Sequence, residues 1–291
     1  MDYRQQYAKY LQRAEDALQA AADCLAGQSR VAEAARYSLF SGGKRVRAVL
    51  CLAVCDMLGG DLLLAARYAA ALEMLHCYSL IHDDLPCMDN DDMRRGKPSC
   101  HKAYGEDTAL LAGDALLTGA FQVVAQAPGQ PRQNTAAAAL LAQAAGTAGM
   151  IYGQELDLYY EGKKPDEAQL TTVHRYKTGM LLNAAVQLGA VAADARPAQC
   201  RALEQYAFGI GLVFQIVDDI LDVTSTQEEL GKPTGSDAEN GKVTFATLLG
   251  AQGAREEAAR QSAKAEQALE FFGPRAGFLH ALAQDLLERR K

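Results

Sequence analysis

The stretch Glu73–His101, EMLHCYSLIHDDLPCMDNDDMRRGKPSCH, gathers the side chains best equipped to do chemistry. Five aspartates, Asp83, Asp84, Asp89, Asp91 and Asp92, run into the adjacent pair Arg94 and Arg95. Carboxylates in this density suit a hard cation such as Mg²⁺, which takes one or two of them and shares its other positions with substrate phosphates. Guanidinium forks alongside supply paired donors for phosphate oxygens. A single acidic run is ordinarily a solvated loop. A second cluster, Asp218-Asp219-Ile220-Leu221-Asp222, moves the reading towards a metal-assisted site.

Helices must position these groups. Glu73, His76, Leu80, Asp83 and Asp84 fall at relative positions 0, 3, 7, 10 and 11, one stripe of a helix expected over about 62–85. Pro86 disfavours helical geometry at Leu85 and should swing Asp89 round from a loop. Glu73-x-x-His76 has the spacing of a di-iron ligand pair, but such sites need two, and no other histidine has a glutamate three residues before it. Asp89-Asn90-Asp91-Asp92 is no calcium loop, because Arg94 stands where its turn requires glycine. Gln215, Asp218, Asp219 and Asp222, at 0, 3, 4 and 7, form a polar stripe among Phe214, Ile216, Val217, Ile220 and Leu221. Three carboxylates on one stripe repel each other unless a cation sits among them.

Upstream, Ser41-Gly42-Gly43 allows a sharp turn and a close approach to a ligand. Lys44-Arg45-Val46-Arg47 is expected to open the next helix, with Lys44 and Arg47 on one face as an anion site. Lys177 lies in a helical run through Gly179, and the 231–242 loop adds Lys232 and Lys242. Gln154 and Asp157 lie three apart in a short piece and receive no role. Further helices are expected over about 2–25, 31–40, 107–126, 135–152 and 199–223, with the remainder after Thr244 helical. The first 85 residues lack proline, and no run alternates like a strand. The expected fold is all-α, a single domain over 1–291 with long helices bundled around a central cavity.

Composition narrows the function. A net charge of -7 argues against nucleic-acid binding and adhesion to anionic lipid. No segment reads as membrane-spanning; the apolar run near 136–151 is mostly alanine and glycine and carries Gln143. Seven cysteines without a C-x-x-C pair, and no signal-peptide pattern at the start, point to a reducing cytosol and a cytoplasmic protein.

Together these motifs resemble the trans-isoprenyl diphosphate synthases, the polyprenyl synthetases, from Gly42 to about Leu249. Gly42-Gly43-Lys44-Arg45-Val46-Arg47 resembles the family box G-G-K-R-x-R-P, with Ala48 in place of proline. Asp83-Asp84-Leu85-Pro86-Cys87-Met88-Asp89 with Arg94-Arg95-Gly96 is similar to the first aspartate-rich motif, D-D-x4-D. Lys177-Thr178, Phe214-Gln215-x-x-Asp218-Asp219-x-x-Asp222 and Gly231-Lys232 match three later signatures, while Gly241-Lys242-Val243-Thr244-Phe245-Ala246 departs from G-K-x-T-Y-P.

The resemblance implies the isoprenoid synthase fold and a chain-lengthening prenyl transfer by ionisation, condensation and elimination, the released diphosphate taking the proton. Three Mg²⁺ ions are implied: Asp83, Asp84 and Asp89 hold two and Asp218 the third, with Asp219 and Asp222 supporting through water. Arg94, Lys177, Thr178, Gln215, Lys232 and Lys242 are implied for the allylic diphosphate. Lys44, Arg47, His76 and Arg95 are implied for isopentenyl diphosphate, over which the tail Arg289-Arg290-Lys291 would close. Oxygen dipoles of Lys177-Thr178 and Gln215 would steady the carbocation. Tyr78 and Ser79, five and four residues before Asp83, are implied to set product length. An aromatic there resembles bacterial farnesyl diphosphate synthases, whereas the surrounding sequence is also very close to plant-type geranylgeranyl synthases. A homodimer is implied. A class I terpene cyclase would share the first motif without the second, and an inactive helical subunit would have lost an aspartate that this chain keeps.

Overall fold

The computed structural model describes residues 2–224 and 242–289. Helix α1 (Tyr3–Ala21) runs on into a 3₁₀ turn (Ala22–Leu25), followed by α2 (Arg30–Leu39), α3 (Val46–Leu58) and α4 (Leu62–Asp83). After a ribbon of β1 (Met93–Arg94) and β2 (Lys97–Pro98) come α5 (Cys100–Tyr104), α6 (Glu106–Ala125) and α7 (Pro131–Ala145). Then follow α8 (Met150–Tyr160), α9 (Glu167–His174), a π-helical turn (Arg175–Gly179), α10 (Met180–Ala192) and α11 (Pro197–Thr224). The chain finishes with α12 (Phe245–Leu269), a 3₁₀ segment (Glu270–Ala276) and α13 (Gly277–Leu287). The fold is all-α. Two compact units are distinguished, Met1–Leu141 with Leu188–Asp194, and Ala142–Gln187 with Ala195–Lys291.

In the first unit α4 is the central helix, packed against α1, α2, α3 and α6. It is buried all round, from Leu64 through Met74 to Ile81, which is why its apolar pattern has no clear face. Asp61 begins it by accepting the amides of Leu63 at 2.8 Å and Leu64 at 3.2 Å. Helix α6 is apolar and long enough to cross a membrane by composition. Asp114 in its middle and its packing on α4 identify it as a core helix: at Gly113 a Cβ would lie 2.0 Å from His82 Nε2.

In the second unit α11 packs along α12. Leu170, Val213, Ile216, Val217 and Ile220 make a core with Phe245, Ala254 and Ala258. Tyr206 of α11 donates to the Leu279 carbonyl of α13 at 2.8 Å.

Four expectations are corrected. Lys44 lies before α3, because Arg45 is left-handed (φ 48°) and the helix begins at Val46, so Lys44 and Arg47 share no helical face. The alanine-rich run does not continue to Tyr152; it breaks at 146–149, where a Cβ on Gly149 would lie 2.2 Å from the Ala144 carbonyl oxygen. The tail is helical only in pieces, kinking at Gly250 (φ 72°, ψ 161°) and passing through Gly273-Pro274. Finally, Met93↔Pro98 and Arg94↔Lys97 pair as a short antiparallel ribbon, too brief for alternation to reveal.

Candidate active site

The first aspartates sit where α4 ends. Asp83 is its last residue and Asp84 its C-cap. The chain then doubles back, so that the Asp89 amide donates to the Asp83 carbonyl at 2.9 Å; Asp89 is thus brought beside the helix end, as Pro86 foretold. Asp84 is buried and receives Arg94 Nε at 2.9 Å as well as Nη2. Burial pushes its carboxyl up to about 6 even though Arg94 opposes that rise. Asp91 accepts Arg94 at 2.9 Å and Asp92 pairs with Lys102 at 2.8 Å, so with Asp84 three of the five aspartates are engaged by neighbouring cations.

The ribbon turn separates the adjacent arginines. Arg95 (φ 54°) and Gly96 (φ 74°) both adopt left-handed backbone, as a tight hairpin turn requires. Arg94 therefore faces the acidic turn, while Arg95 donates to the Gly42 carbonyl. A Cβ on Gly43 would lie 3.0 Å from the Arg95 guanidinium carbon; glycine is what allows this approach. Arg95 belongs instead with Arg47 and His76. Arg47 Nη1 donates to His76 Nε2 at 3.3 Å, which fixes Nε2 as an acceptor and the imidazole as neutral. Burial first, then Arg47, Arg95, Arg45 and Arg94, holds the His76 pKa well below 6.5. Burial also lowers Arg47, opposed by Glu73 and aided by Arg95, without removing its charge. Three of the four residues expected at the second diphosphate are thus gathered; the fourth, Lys44, is exposed on the neighbouring turn, its carbonyl receiving Tyr7 Oη at 2.6 Å.

Beneath this cluster is a network the motifs did not disclose. Arg45, 4% exposed, donates to Glu15 at 2.8 Å and to the Leu39 carbonyl at 2.7 Å, and lies 3.6 Å from Glu73. Glu73, 2% exposed, also accepts the Ala48 amide at 3.1 Å. Glu73 therefore anchors the start of α3, and its place on the His76–Asp83 stripe has a structural purpose.

In the second unit the π turn carries Lys177-Thr178. Such turns widen the helix locally and frequently accompany functional residues. Thr178 Oγ1 donates to Gln215 Oε1 of α11 at 2.7 Å. One α11 turn on, Asp218 receives Arg289, whose guanidinium also lies 4.5 Å over the Phe214 ring. Arg289, expected over isopentenyl diphosphate, is thus found on an aspartate expected to hold metal. Asp219 is turned away, accepting the Phe245 amide at 2.8 Å at the start of α12, while the buried Asp222 Oδ1 has no hydrogen-bond partner among the described residues. Lys177 and Lys242 reach one oxygen of Asp157, at 2.7 and 3.2 Å. Lys232, with Arg290 and Lys291 of the tail, lies outside the described residues.

The donor chemistry fits Mg²⁺. Among the described residues no three His, Cys, Asp or Glu side chains converge as a ready-made cage. An ion that draws part of its coordination from phosphate oxygens asks for one or two carboxylates rather than a cage. A guanidinium already accompanies Asp218, and one turn on the buried Asp222 Oδ1, without a hydrogen-bond partner among the described residues, is an acceptor that a hydrated cation would suit.

A family model described as Polyprenyl synthetase matches residues 28–270. The chain belongs to the polyprenyl synthetase family. It is 49% identical over 260 residues to geranylgeranyl pyrophosphate synthase 9, chloroplastic, of Arabidopsis thaliana, covering 87% of this chain and 72% of that one. It is 45% identical over 251 residues to farnesyl diphosphate synthase of Geobacillus stearothermophilus, covering 85% and 84%. A crystal structure of a Helicobacter pylori geranyltransferase, complexed with magnesium and isoprenyl diphosphate, superposes with a TM-score of 0.85 at 33% identity, covering 97% and 96%. This polyprenyl synthetase is a prenyltransferase of a Mg²⁺-dependent family.

Proposed function

We propose that this synthase condenses isopentenyl diphosphate with dimethylallyl and then geranyl diphosphate, releasing farnesyl diphosphate. The observation that carries the reading is the parting of Arg94 and Arg95: one tight turn serves an acidic, metal-suited end and a cationic cluster with Arg47 and His76. A reaction of two diphosphates needs both kinds of site. Asp83, Asp84, Asp89 and Asp218 would hold three Mg²⁺ ions, with Asp219 and Asp222 behind them; bound Mg²⁺ would offset the charge growing on the leaving diphosphate. Arg94, Lys177, Gln215, Lys232 and Lys242 bind the allylic diphosphate, and Lys44, Arg47, His76 and Arg95 bind isopentenyl diphosphate. The Thr178–Gln215 hydrogen bond at 2.7 Å orients the oxygen dipoles proposed to face the carbocation.

Tyr78 supports a fifteen-carbon product. It lies about 7.5 Å before Asp83 along the helix axis, is 6% exposed, and stands edge-on to His82 with ring centroids 5.7 Å apart. Ser79 is turned back, donating to the His76 carbonyl at 2.8 Å. The twenty-carbon product is the second reading, favoured by the 49% identity to a geranylgeranyl synthase. Radiolabelled isopentenyl diphosphate with five-, ten- and fifteen-carbon primers, followed by chromatography of the dephosphorylated products, tests both readings. The expected result is accumulation at fifteen carbons, and longer products from Tyr78→Ala. Absence of any elongation would refute the function, and an unchanged product from the variant would refute the role of Tyr78. Seven free thiols support a reducing, cytoplasmic setting, and a homodimer is proposed on the family's account, to be checked by sedimentation equilibrium.

A further inference from the structure

Asp157 receives no role from the sequence motifs, yet it is the acceptor on which two lysines meet. Gly153 lies one turn earlier on α8, and a Cβ there would lie 2.0 Å from the Lys177 amide nitrogen. Residues four apart share a helix face, so the face of α8 that gives way to the π turn also presents Asp157 to it. The carboxylate is largely buried, and a single oxygen, Oδ2, receives Lys177 Nζ at 2.7 Å and Lys242 Nζ at 3.2 Å. Lys242 also lies 3.5 Å from Glu161, a further turn along. Burial alone would raise the Asp157 pKa; the two ammonium groups outweigh it and hold the carboxyl low. Without that oxygen two like charges would face each other across a few ångströms, and long, flexible lysine stems would let them part.

We propose that Asp157 is a positioning residue that gathers Lys177 and Lys242 into a two-lysine clamp for the allylic diphosphate. The proposal rests on the reading above that both lysines engage that group. The clamp has a chemical reason. A diphosphate presents several anionic oxygens within one small volume, and two point charges already brought together meet it without first overcoming their own repulsion. Lysine carries no fork of its own to fix geometry, so an external carboxylate supplies the order. Preorganised charge of this kind lowers the reorganisation required at binding and at ionisation.

The test compares Asp157→Asn, Asp157→Glu, Lys242→Gln and the Asp157→Asn/Lys242→Gln double variant in the full chain. Calorimetry reads binding of inorganic diphosphate with Mg²⁺, steady-state kinetics reads both substrates, and thermal melting monitors the fold. Asp157→Asn should weaken magnesium diphosphate and raise the allylic KM roughly ten- to a hundredfold, the range for losing hydrogen bonds to charged groups. The KM for isopentenyl diphosphate should stay as in wild type, and Asp157→Glu should restore most of the loss. With Lys242 removed the repulsion is gone, so Asp157→Asn should then cost clearly less. Unchanged or tighter diphosphate binding in Asp157→Asn, an equal loss for both substrates, or strict additivity with Lys242→Gln would overturn the clamp. Should Asp157→Asn fail to fold, Asp157→Glu decides: binding as weak as that of Lys242→Gln would overturn it. A wild-type protein that bound no magnesium diphosphate and elongated no primer would instead overturn the functional reading itself, whatever the variants did.

Discussion

Replacing Arg45 by methionine isolates the network beneath the Arg47–His76 cluster. Methionine keeps much of the unbranched apolar stem and, like arginine, is an L-residue at φ 48°, so backbone strain changes little. What disappears is the guanidinium between Glu15, Glu73 and the Leu39 carbonyl. Glu15 is partly exposed and can take water in exchange; Glu73, 2% exposed, cannot. The loss therefore falls on an unpaired buried carboxylate, for which about 3–5 kcal/mol is the usual magnitude. At about 2–4 °C per kcal/mol for a chain of this size class, the melting temperature should fall roughly 6–20 °C. The companion variant Arg45→Met/Glu73→Leu removes both charges. It should recover much of that loss, since a buried ion pair exchanged for apolar groups is often neutral, leaving the Ala48 amide without its acceptor at about 1–3 kcal/mol. Differential scanning calorimetry at pH 7 on the metal-free protein measures all three proteins. A single variant that melts with wild type, or a double variant no more stable than the single one, would refute this account of the anchor.

Two further outcomes follow from the same geometry. His76 is held neutral in the folded chain, with its pKa depressed below 6.5; as pH falls through 6.5 the unfolded chain gains a proton that the folded one does not. Stability should consequently drop below pH 6.5 by up to about 1.4 kcal/mol per pH unit on this group's account, and His76→Gln should flatten urea-derived stability between pH 6.5 and 5; superimposable slopes would exclude this assignment. Gly153→Ala drives a methyl into the Lys177 backbone, costing about 1–3 kcal/mol by overpacking and lowering prenyl transfer further than the melting shift accounts for; wild-type turnover in that variant would show the close approach to be dispensable.

The acidic ends of the two motif helices were legible in sequence because aspartate pairs, a following proline and glycine-rich turns act locally. Asp89 returns to the end of α4 for such a reason: Pro86 blocks the helix and the Asp89 amide bonds back to Asp83. What stayed hidden depended on partners far along the chain. Glu73 shares a stripe with His76 and Asp83, and spacing alone gives no hint that it answers to Arg45 and the Ala48 amide. Asp219 shares the α11 stripe yet closes the start of α12. The break at 146–149 follows a run of alanines, which favours helix on every residue-by-residue scale; only the two glycines in the break, Gly146 and Gly149, could have marked it. Asp157 had one faint signal, its place four residues after Gly153, which acquires meaning only once the π turn packs against that glycine.

Three of the positions that break local rules aim charged groups. Arg45 and Arg95 take left-handed backbone that a glycine would adopt at less cost. The Lys177-Thr178 pair sits in a π turn rather than the α-helix its composition favours. In each case the departure redirects a side chain: Arg45 inward to Glu73, Arg95 away from Arg94, and Lys177 onto Asp157. A regular helix spaces side chains at fixed angles, and a regular strand alternates them; the left-handed turn at Arg95-Gly96 sets a direction that neither fixed spacing dictates. The strained conformations persist because hydrogen bonds over-determine them, as the Leu39 carbonyl does for Arg45 and the Gly42 carbonyl for Arg95. The irregular backbone of the ribbon turn is what sends Arg94 to the acidic end of α4 and Arg95 to the Gly42 carbonyl, and the function proposed above would draw on that parting to keep two anions' partners separate.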